Sequence, residues 1–222
     1  SRDVMVAGGM ESMTNAPYLL KKGRGGYRMG HDKIFDHMML DGLEDAYEAG
    51  RSMGTFGEDC AAKYNFTRDA QDKFAMASVQ RAQDAIKKGA FKDEIAPVTV
   101  KDRKGERVVD TDEGPGKINI DKIPTLKPAF KKDGTVTAAA SSSINDGAAA
   151  MVLMRESTAK KLGVKPLARI VSHATHAQEP EWFSTAPIGA TEKALQKAGW
   201  KVDDVDLWEI NEAFAVVAEK FI

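Results

Sequence analysis

Asn211 follows a segment of the kind that leads into the chemistry of many α/β proteins. The apolar run 205–210 predicts a strand, and the sequence Asn-Glu-Ala-Phe at 211–214 predicts the start of a helix directly after it. Polar groups at such a junction lie at the carboxyl edge of a sheet, near the positive end of the helix dipole. Asn211 is therefore a candidate site residue, although no nucleophile or base stands beside it in the sequence.

The tract 135–148, rich in alanine and serine, is a second candidate site. Small side chains allow close approach to the backbone, so the tract could hold a long, thin ligand through backbone groups and hydroxyls. A tight crossing of strands explains the same composition equally well. On the residues alone, both interpretations stay open.

Three further sets of residues could do chemistry but favour plainer roles. Cys60 follows two acids, which do not promote a thiolate, so we expect a small packed side chain. His173, His176 and Glu179 would share one face only on a helix, which their surroundings do not predict, so no metal site is expected. The basic, glycine-rich loop 21–30 could bind phosphate, but it matches no phosphate-binding motif, and a solvated loop is the default.

The composition narrows the function classes. The 222 residues are 42% hydrophobic and 29% charged, with a net charge of −1, which predicts no partnership with nucleic acid or an anionic membrane. The longest apolar run, 148–154, is too short to span a bilayer. The single cysteine fits a reducing compartment, and the first residues do not resemble a signal peptide, so a cytoplasmic location is expected.

The elements that must position these residues change in character along the chain. Up to residue 134 the patterns predict a strand buried on both faces at 4–7 and helices at 33–49, 53–64 and 67–88. They also predict a hairpin of 95–101 with 107–110, followed by a long loop at 111–134. From residue 135 onward strands and helices alternate, which predicts a parallel or mixed sheet covered by helices. The strands are 148–154, 167–172 and 205–210, and the helices are 156–162, 188–198 and 211 onward.

Four motifs, in order and over essentially the whole chain, resemble the thiolase family. They are Gly-Gly-Met-Glu-Ser-Met at 8–13, Met-Gly-Thr at 53–55, Gly-Thr-Val-Thr at 134–137 running into Asn-Asp-Gly-Ala-Ala at 145–149, and Asn-Glu-Ala-Phe at 211–214. Their spacing also looks like that of acetyl-CoA acetyltransferases and 3-ketoacyl-CoA thiolases. A complete thiolase is considerably longer, so the chain resembles the middle of one.

The resemblance implies a partial, thiolase-like α/β fold with layers in the order α-β-α-β-α and an inserted, helix-rich loop domain. Residues 1–13 would end the N-terminal domain, 14–134 would form the loop domain that covers coenzyme A, 135–154 would return to the N-terminal domain, and 155–222 would start the C-terminal domain. The full-length protein would form a homodimer or homotetramer.

The activity that the resemblance implies is acyl transfer. Thiolases form an acyl-enzyme on a cysteine and pass the acyl group to coenzyme A or to the α-carbon of acetyl-CoA. The acyl-CoA is a substrate, and no permanently bound cofactor or metal is expected. By similarity, Asn211 holds a water that stabilises the thioester enolate oxygen together with a histidine. The coenzyme and acyl contacts fall on Ser142 at the pantetheine arm, on Phe130, Leu43, Ala213 and Phe214 along the coenzyme slot, and on Met53 at the acyl pocket.

Departures from the family pattern temper this expectation. The family's nucleophilic cysteine precedes residue 1, its Gly-His-Pro histidine and second cysteine follow residue 222, and Cys60 matches neither cysteine. This polypeptide alone is therefore predicted to be inactive. Ser52 stands where many biosynthetic members carry histidine, and Ala140 where asparagine is common. The alternatives are a non-catalytic acyl-CoA-binding module and a structural or oligomerisation piece.

Overall fold

Twelve strands and helices frame the candidate residues in the computed structural model, which describes residues 3–103 and 105–222. The strands are β1 (Val4–Glu11), β2 (Tyr18–Leu19), β3 (Phe35–Asp36), β4 (Val98–Asp102), β5 (Gly105–Val109) and β6 (Gly147–Met154). The helices are α1 (Met53–Tyr64), α2 (Arg68–Lys88), α3 (Glu113–Lys117), α4 (Glu156–Leu162), α5 (Ala186–Ala198) and α6 (Ala215–Phe221).

These elements form two compact units. The first unit comprises Ser1–Phe56, Ile144–Ile210 and Phe221, and the second comprises Gly57–Ser143, Asn211–Lys220 and Ile222. The predicted domain boundaries at residues 13, 134 and 154 remain predictions.

The first unit is built around an antiparallel ribbon of β1 and β6. Val4 pairs with Met154 and the register continues to Glu11 with Gly147. The prediction that 4–7 is buried on both faces is wrong, because β1 is almost entirely exposed. Burial of both faces needs a layer packed on each side, and the described part of this unit places none over the ribbon.

The helix predicted over 33–49 is also wrong. β3 pairs with β2, with Tyr18 opposite Asp36, and only the short π-helical turn Met39–Leu43 follows. The Asp36 side chain accepts a hydrogen bond from the backbone N–H of Met38 at 2.9 Å, which offers the backbone an alternative to a regular helix.

Helices α4 and α5 confirm the helices predicted at 156–162 and 188–198. The strands predicted at 167–172 and 205–210 are wrong, because both segments are irregular. Side chains hold the first of these regions to α5. The Ser172 hydroxyl donates to the carbonyl of Ala194 at 2.7 Å, and Lys197 Nζ donates to the carbonyl of His173 at 2.9 Å. The prediction rested on apolar residues alone. An apolar run does not show which strand it would pair with, and a strand needs such a partner.

The second unit packs around α2, whose bounds confirm the prediction. Thr67 caps the helix by accepting a hydrogen bond from the N–H of Ala70 at 3.1 Å, and Gly89 ends it in the left-handed conformation at φ 68°. The buried core of this unit joins Ala75 and Val79 of α2 to Ile123.

Residues 95–134 contain more regular structure than the sequence predicts. The predicted hairpin is confirmed as β4 and β5, with Val98 opposite Val109, and Lys104 of its turn lies outside the described residues. The loop predicted over 111–134 contains α3 and the 3-10 helix Ile120–Thr125. Arg68 stabilises that 3-10 segment, since its guanidinium pairs with Asp72 at 2.8 Å and donates to the carbonyl of Leu126 at 2.7 Å.

Candidate functional site

The segment 211–214 lies beside residues 141–142 of the alanine- and serine-rich tract, and both belong to the second unit. Ser141 and Phe214 form an isolated antiparallel bridge, and the N–H of Ser142 donates to the carbonyl of Ala213 at 3.0 Å. The Ser142 hydroxyl donates to the carbonyl of Glu212 at 2.9 Å. Two motifs that lie far apart in the sequence are thus held in register by three adjacent contacts.

The same pairing corrects the prediction that a helix begins at Asn211. Phe214 has extended backbone angles, φ −141° and ψ 155°, because it pairs with Ser141, and α6 begins only at Ala215. Asn211 is exposed. It comes just before the paired residues 212–214, so it does not adjoin the first turn of α6. The helix dipole therefore offers it little, since that effect fades within the first turn of a helix.

Aromatic packing fixes Phe214. Its ring meets Phe130 edge to face, with 5.8 Å between ring centroids and 86° between planes. On another side, a Cβ placed on Gly57 of α1 would lie 3.5 Å from the Phe214 ring, so the helix backbone itself approaches the ring closely. Phe214 is buried and Phe130 is half-buried.

Glu212 is held on its side chain as well as its carbonyl. Ser78, half-buried on α2, donates a hydrogen bond from its hydroxyl to Glu212 Oε2 at 2.6 Å. The Ser142 hydroxyl donates its one hydrogen bond to the Glu212 carbonyl, so Oγ can make further hydrogen bonds only as an acceptor. The exposed Ser142 hydroxyl is therefore an acceptor for an N–H group.

The tract begins at a buried carboxylate. Glu58 of α1 is 6% exposed, and its two oxygens accept hydrogen bonds from the N–H of Thr135 at 2.9 and 3.0 Å and from the N–H of Val136 at 2.9 Å. A Cβ on Gly134 would overlap this carboxylate. The backbone of 134–136 thus cradles Glu58.

Two neighbouring side chains complete this arrangement. The Gln71 amide on α2 is fully buried, and its Nε2 donates to the hydroxyl of Thr135 at 2.9 Å. The buried Thr137 hydroxyl accepts from the N–H of Ala140 at 3.3 Å, and so caps the 3-10 turn Ala138–Ala140. Ala140, where the resemblance implies an asparagine, is buried inside this capped turn.

The sequence interpretation missed Glu58 and its partners, treating this acid only as an unfavourable neighbour of Cys60. The signal that could have found it is an acid placed among small residues on a helix, in Gly57-Glu58-Asp59-Cys60-Ala61. A carboxylate in such surroundings needs hydrogen-bond donors from elsewhere in the chain.

In the first unit the structure brings two other motifs together. The N–H of Thr14 donates to Asp146 Oδ1 at 2.9 Å, next to the motif at 8–13, and the N–H of Asn145 lies 3.4 Å from Met13 Sδ. The hydrogen bond from the Thr14 backbone lowers the pKa of Asp146. The half-buried Leu43 and Met53 also belong to this unit, at the end of the π-helical turn and at the start of α1.

The remaining candidates have structural surroundings. Cys60 is fully buried in α1, as predicted. His176 Nε2 lies 3.1 Å from Gln178 Oε1 in a non-helical segment. Residues 3–103 and 105–222 contain no group of three or more His, Cys, Asp or Glu side chains able to hold a metal ion. Within those ranges, helices long and apolar enough to cross a membrane are absent as well.

Curated relatives match nearly all of the chain. It is 52% identical over 214 residues to a probable acetyl-CoA acetyltransferase of Dictyostelium discoideum, covering 96% of this chain and 51% of that protein. It is 50% identical over 218 residues to an acetyl-CoA acetyltransferase of Chromobacterium violaceum, covering 97% and 55% respectively. The chain thus spans about half the length of the curated relatives it matches.

A solved structure supports the same relationship. The acetyl-CoA acetyltransferase of Syntrophomonas wolfei superimposes with a TM-score of 0.92 at 43% identity, over 99% of this chain and 55% of that one. This similarity confirms the predicted thiolase-like α/β fold. The family model of the thiolase N-terminal domain matches residues 1–157, and that of the thiolase C-terminal domain matches residues 164–221. The chain belongs to the thiolase family.

Proposed function

We propose that the chain takes part in thiolase-type acyl transfer, in which an acetyl or acyl group moves between a catalytic cysteine and coenzyme A or acetyl-CoA. The names of the matched relatives from Dictyostelium and Chromobacterium support this reaction class. The observation that carries the proposal is the pairing of Ser142 with Glu212 and Ala213, because it holds a free acceptor next to the Asn211 segment.

In this proposal Ser142 binds the pantetheine arm of coenzyme A. Pantetheine contains two amide N–H groups, and the Ser142 oxygen has lone pairs to accept from one of them. The half-buried ring of Phe130, which packs edge to face on the buried Phe214, offers apolar surface for the same arm. Ala213, Leu43 and Met53 are assigned to the coenzyme slot and the acyl pocket by the family resemblance.

Asn211 is proposed to orient a water toward the thioester oxygen. A neutral amide can direct its dipole at a developing negative charge without itself titrating, and preorganised dipoles of this kind stabilise enolate-like transition states. Its exposure in the second unit leaves the amide accessible to such a water.

The remaining assignments complete the proposal. The partner is a small acyl-CoA substrate, with no permanently bound cofactor, and the working protein is a homodimer or homotetramer in the cytoplasm. The nucleophile and the histidine that thiolysis needs are assigned to sequence on either side of the matched half. The 222-residue chain alone is then expected to be inactive.

The test compares the 222-residue chain with the complete product of its coding sequence. We expect the complete protein to cleave acetoacetyl-CoA with coenzyme A, and the 222-residue chain to give no turnover. A complete protein that binds coenzyme A calorimetrically without turnover would support the non-catalytic binding module instead. One that neither binds nor reacts would leave the structural piece as the better account.

A further inference from the structure

We infer that Glu58 is a positioning residue, whose buried carboxylate sets the register of the coenzyme-binding tract through the backbone of Thr135 and Val136. This inference rests on the proposed function, because its consequence is the placement of Ser142. Glu58 itself lies in α1 and does not touch Ser142. It acts through the segment between them.

Three donor groups converge on the buried carboxylate of Glu58. Glu58 accepts from the N–H of Thr135 and of Val136, and Thr135 Oγ1 lies 3.3 Å from Glu58 Oε2. Hydrogen bonds to an ionised acceptor are about twice as strong as neutral ones, and they are geometrically demanding. Two consecutive backbone N–H groups aimed at one side chain fix the orientation of that backbone.

Gly134 lies directly against this carboxylate. A Cβ at this position would overlap the Glu58 carboxylate, and its three nearest atoms all belong to that side chain. The backbone therefore closes directly onto the carboxylate, with no room for a side chain or a water between them. The start of the tract is therefore in direct contact with the Glu58 carboxylate.

The hydrogen bonds around Thr135 run in one direction. A carboxylate only accepts, so the Thr135 hydroxyl proton points to Glu58, and the lone pairs of that hydroxyl face Gln71. Gln71 must then present its NH2 group, which donates at 2.9 Å. The network ties α2 to α1 through the first residues of the tract.

A series of hydrogen bonds connects the backbone held by Glu58 to Ser142. Val136 leads into Thr137, whose hydroxyl caps the following turn and whose carbonyl accepts from Ser141 Oγ at 2.8 Å. Ser142 follows directly and pairs with Glu212 and Ala213. A shift at 135–136 therefore moves the Ser142 oxygen away from the amide that it is proposed to bind.

The test uses Glu58→Gln in the complete protein, with Glu156→Gln as the matched control on the exposed face of α4. The amide keeps the shape but has one acceptor oxygen, so it must lose bonds to 135–136. We expect KM for coenzyme A to rise about tenfold in Glu58→Gln, the effect of losing one bond to a charged group. We expect kcat at saturating coenzyme A to stay within about twofold, and Glu156→Gln to match the wild type in both.

A second cycle separates positioning from simple destabilisation. Gly134→Ala should raise KM for coenzyme A by about tenfold in the wild type, because the new methyl displaces the carboxylate. In a Glu58→Ala background the same change should have less than about a twofold effect, since the overlapping group is gone. Amide hydrogen exchange at Thr135 and Val136 should speed up in Glu58→Gln, while exchange at Ala75 of the core stays slow.

The outcomes separate the inference from the function on which it rests. A wild-type protein without thiolase activity rejects the proposed function. An active wild type with unchanged KM and unchanged exchange in Glu58→Gln overturns the positioning role, and so does a fall in kcat alone. If Glu58→Gln does not fold, Thr135→Val removes only the hydroxyl bridge. It should then raise KM by about threefold, and an unchanged KM would likewise overturn the inference.

Discussion

At the scale of single residues, the direction of each hydrogen bond decides what a hydroxyl can still bind. A hydroxyl that donates to a protein acceptor has only its lone pairs left for another group. Ser142 donates to the Glu212 carbonyl, which leaves its lone pairs for the coenzyme amide that it is proposed to bind. Thr135 does the same toward Glu58. These hydroxyls have fixed orientations, because each one faces an acceptor that cannot donate in return.

Ser142→Ala should weaken coenzyme binding more than the removal of a neighbouring exposed hydroxyl does. The change removes the acceptor and the bond to Glu212 together, so we expect KM for coenzyme A in the complete protein to rise five- to tenfold, about 1 kcal/mol. Ser143→Ala, at the next position and also exposed, is the control and should have no effect. Equal KM values in the two variants would contradict the role given to Ser142.

Glu219 in α6 should make stability depend on pH. Its Oε2 is buried and has no hydrogen-bond partner among the described residues, and desolvation raises its pKa above the usual value near 4.5. A raised folded-state pKa favours the protonated form, so its stabilisation is present below pH 4.5 and is lost as pH rises through the raised value.

Glu219→Gln removes this titration. We expect its midpoint in urea to exceed that of the wild type at pH 7 and to match it at pH 4. Glu209→Gln, at an exposed position, is the control and should shift neither midpoint. A wild-type midpoint that rises between pH 4 and pH 7 relative to Glu219→Gln would show that burial does not penalise the charged form.

At the scale of elements, local signals that carry their own partner were predictable. The ends of α2 followed from Thr67 and Gly89, because a cap and a left-handed glycine act within a few residues of each other. The segment 205–210 was not predictable in the same way, since a strand exists only if another strand pairs with it. The donors of Glu58 could not be predicted for a similar reason, because they lie at 135–136, far along the chain from the acid itself.

The cap of α2 should contribute measurably to stability. Thr67→Ala removes the acceptor for the Ala70 N–H, and we expect the free energy of unfolding to fall by about 1 kcal/mol, measured by urea denaturation. Thr67→Ser keeps a hydroxyl at the cap and should recover most of the loss. If serine and alanine behave alike, the hydroxyl is not the stabilising group.

At the scale of the whole molecule, the described residues leave much apolar surface exposed. Val6 and Val152 face each other across the ribbon of β1 and β6 and are 74% and 60% exposed. Met10 and Met151 are similarly open on the same strands. Contiguous apolar surface on a two-stranded ribbon favours association between copies.

The 222-residue chain should therefore self-associate, with an average mass by light scattering that grows with concentration. Val6→Lys combined with Val152→Glu replaces one apolar cross-strand pair by an ion pair, and it should lower that mass. The control exchanges the charges of Lys101 and Glu106, which form an ion pair across β4 and β5. A monomer at all concentrations would contradict the prediction.

The contact between Ser142 and Glu212 also has a consequence in time. The two residues lie 70 positions apart, and at ribosomal speeds of about 5–20 residues per second the second emerges on the order of 4–14 s after the first. The Glu58 cradle needs no residue beyond Val136, so it can close at the start of that interval. In a nascent chain the tract that carries Ser142 would then be ordered before Glu212, its partner, has been synthesised.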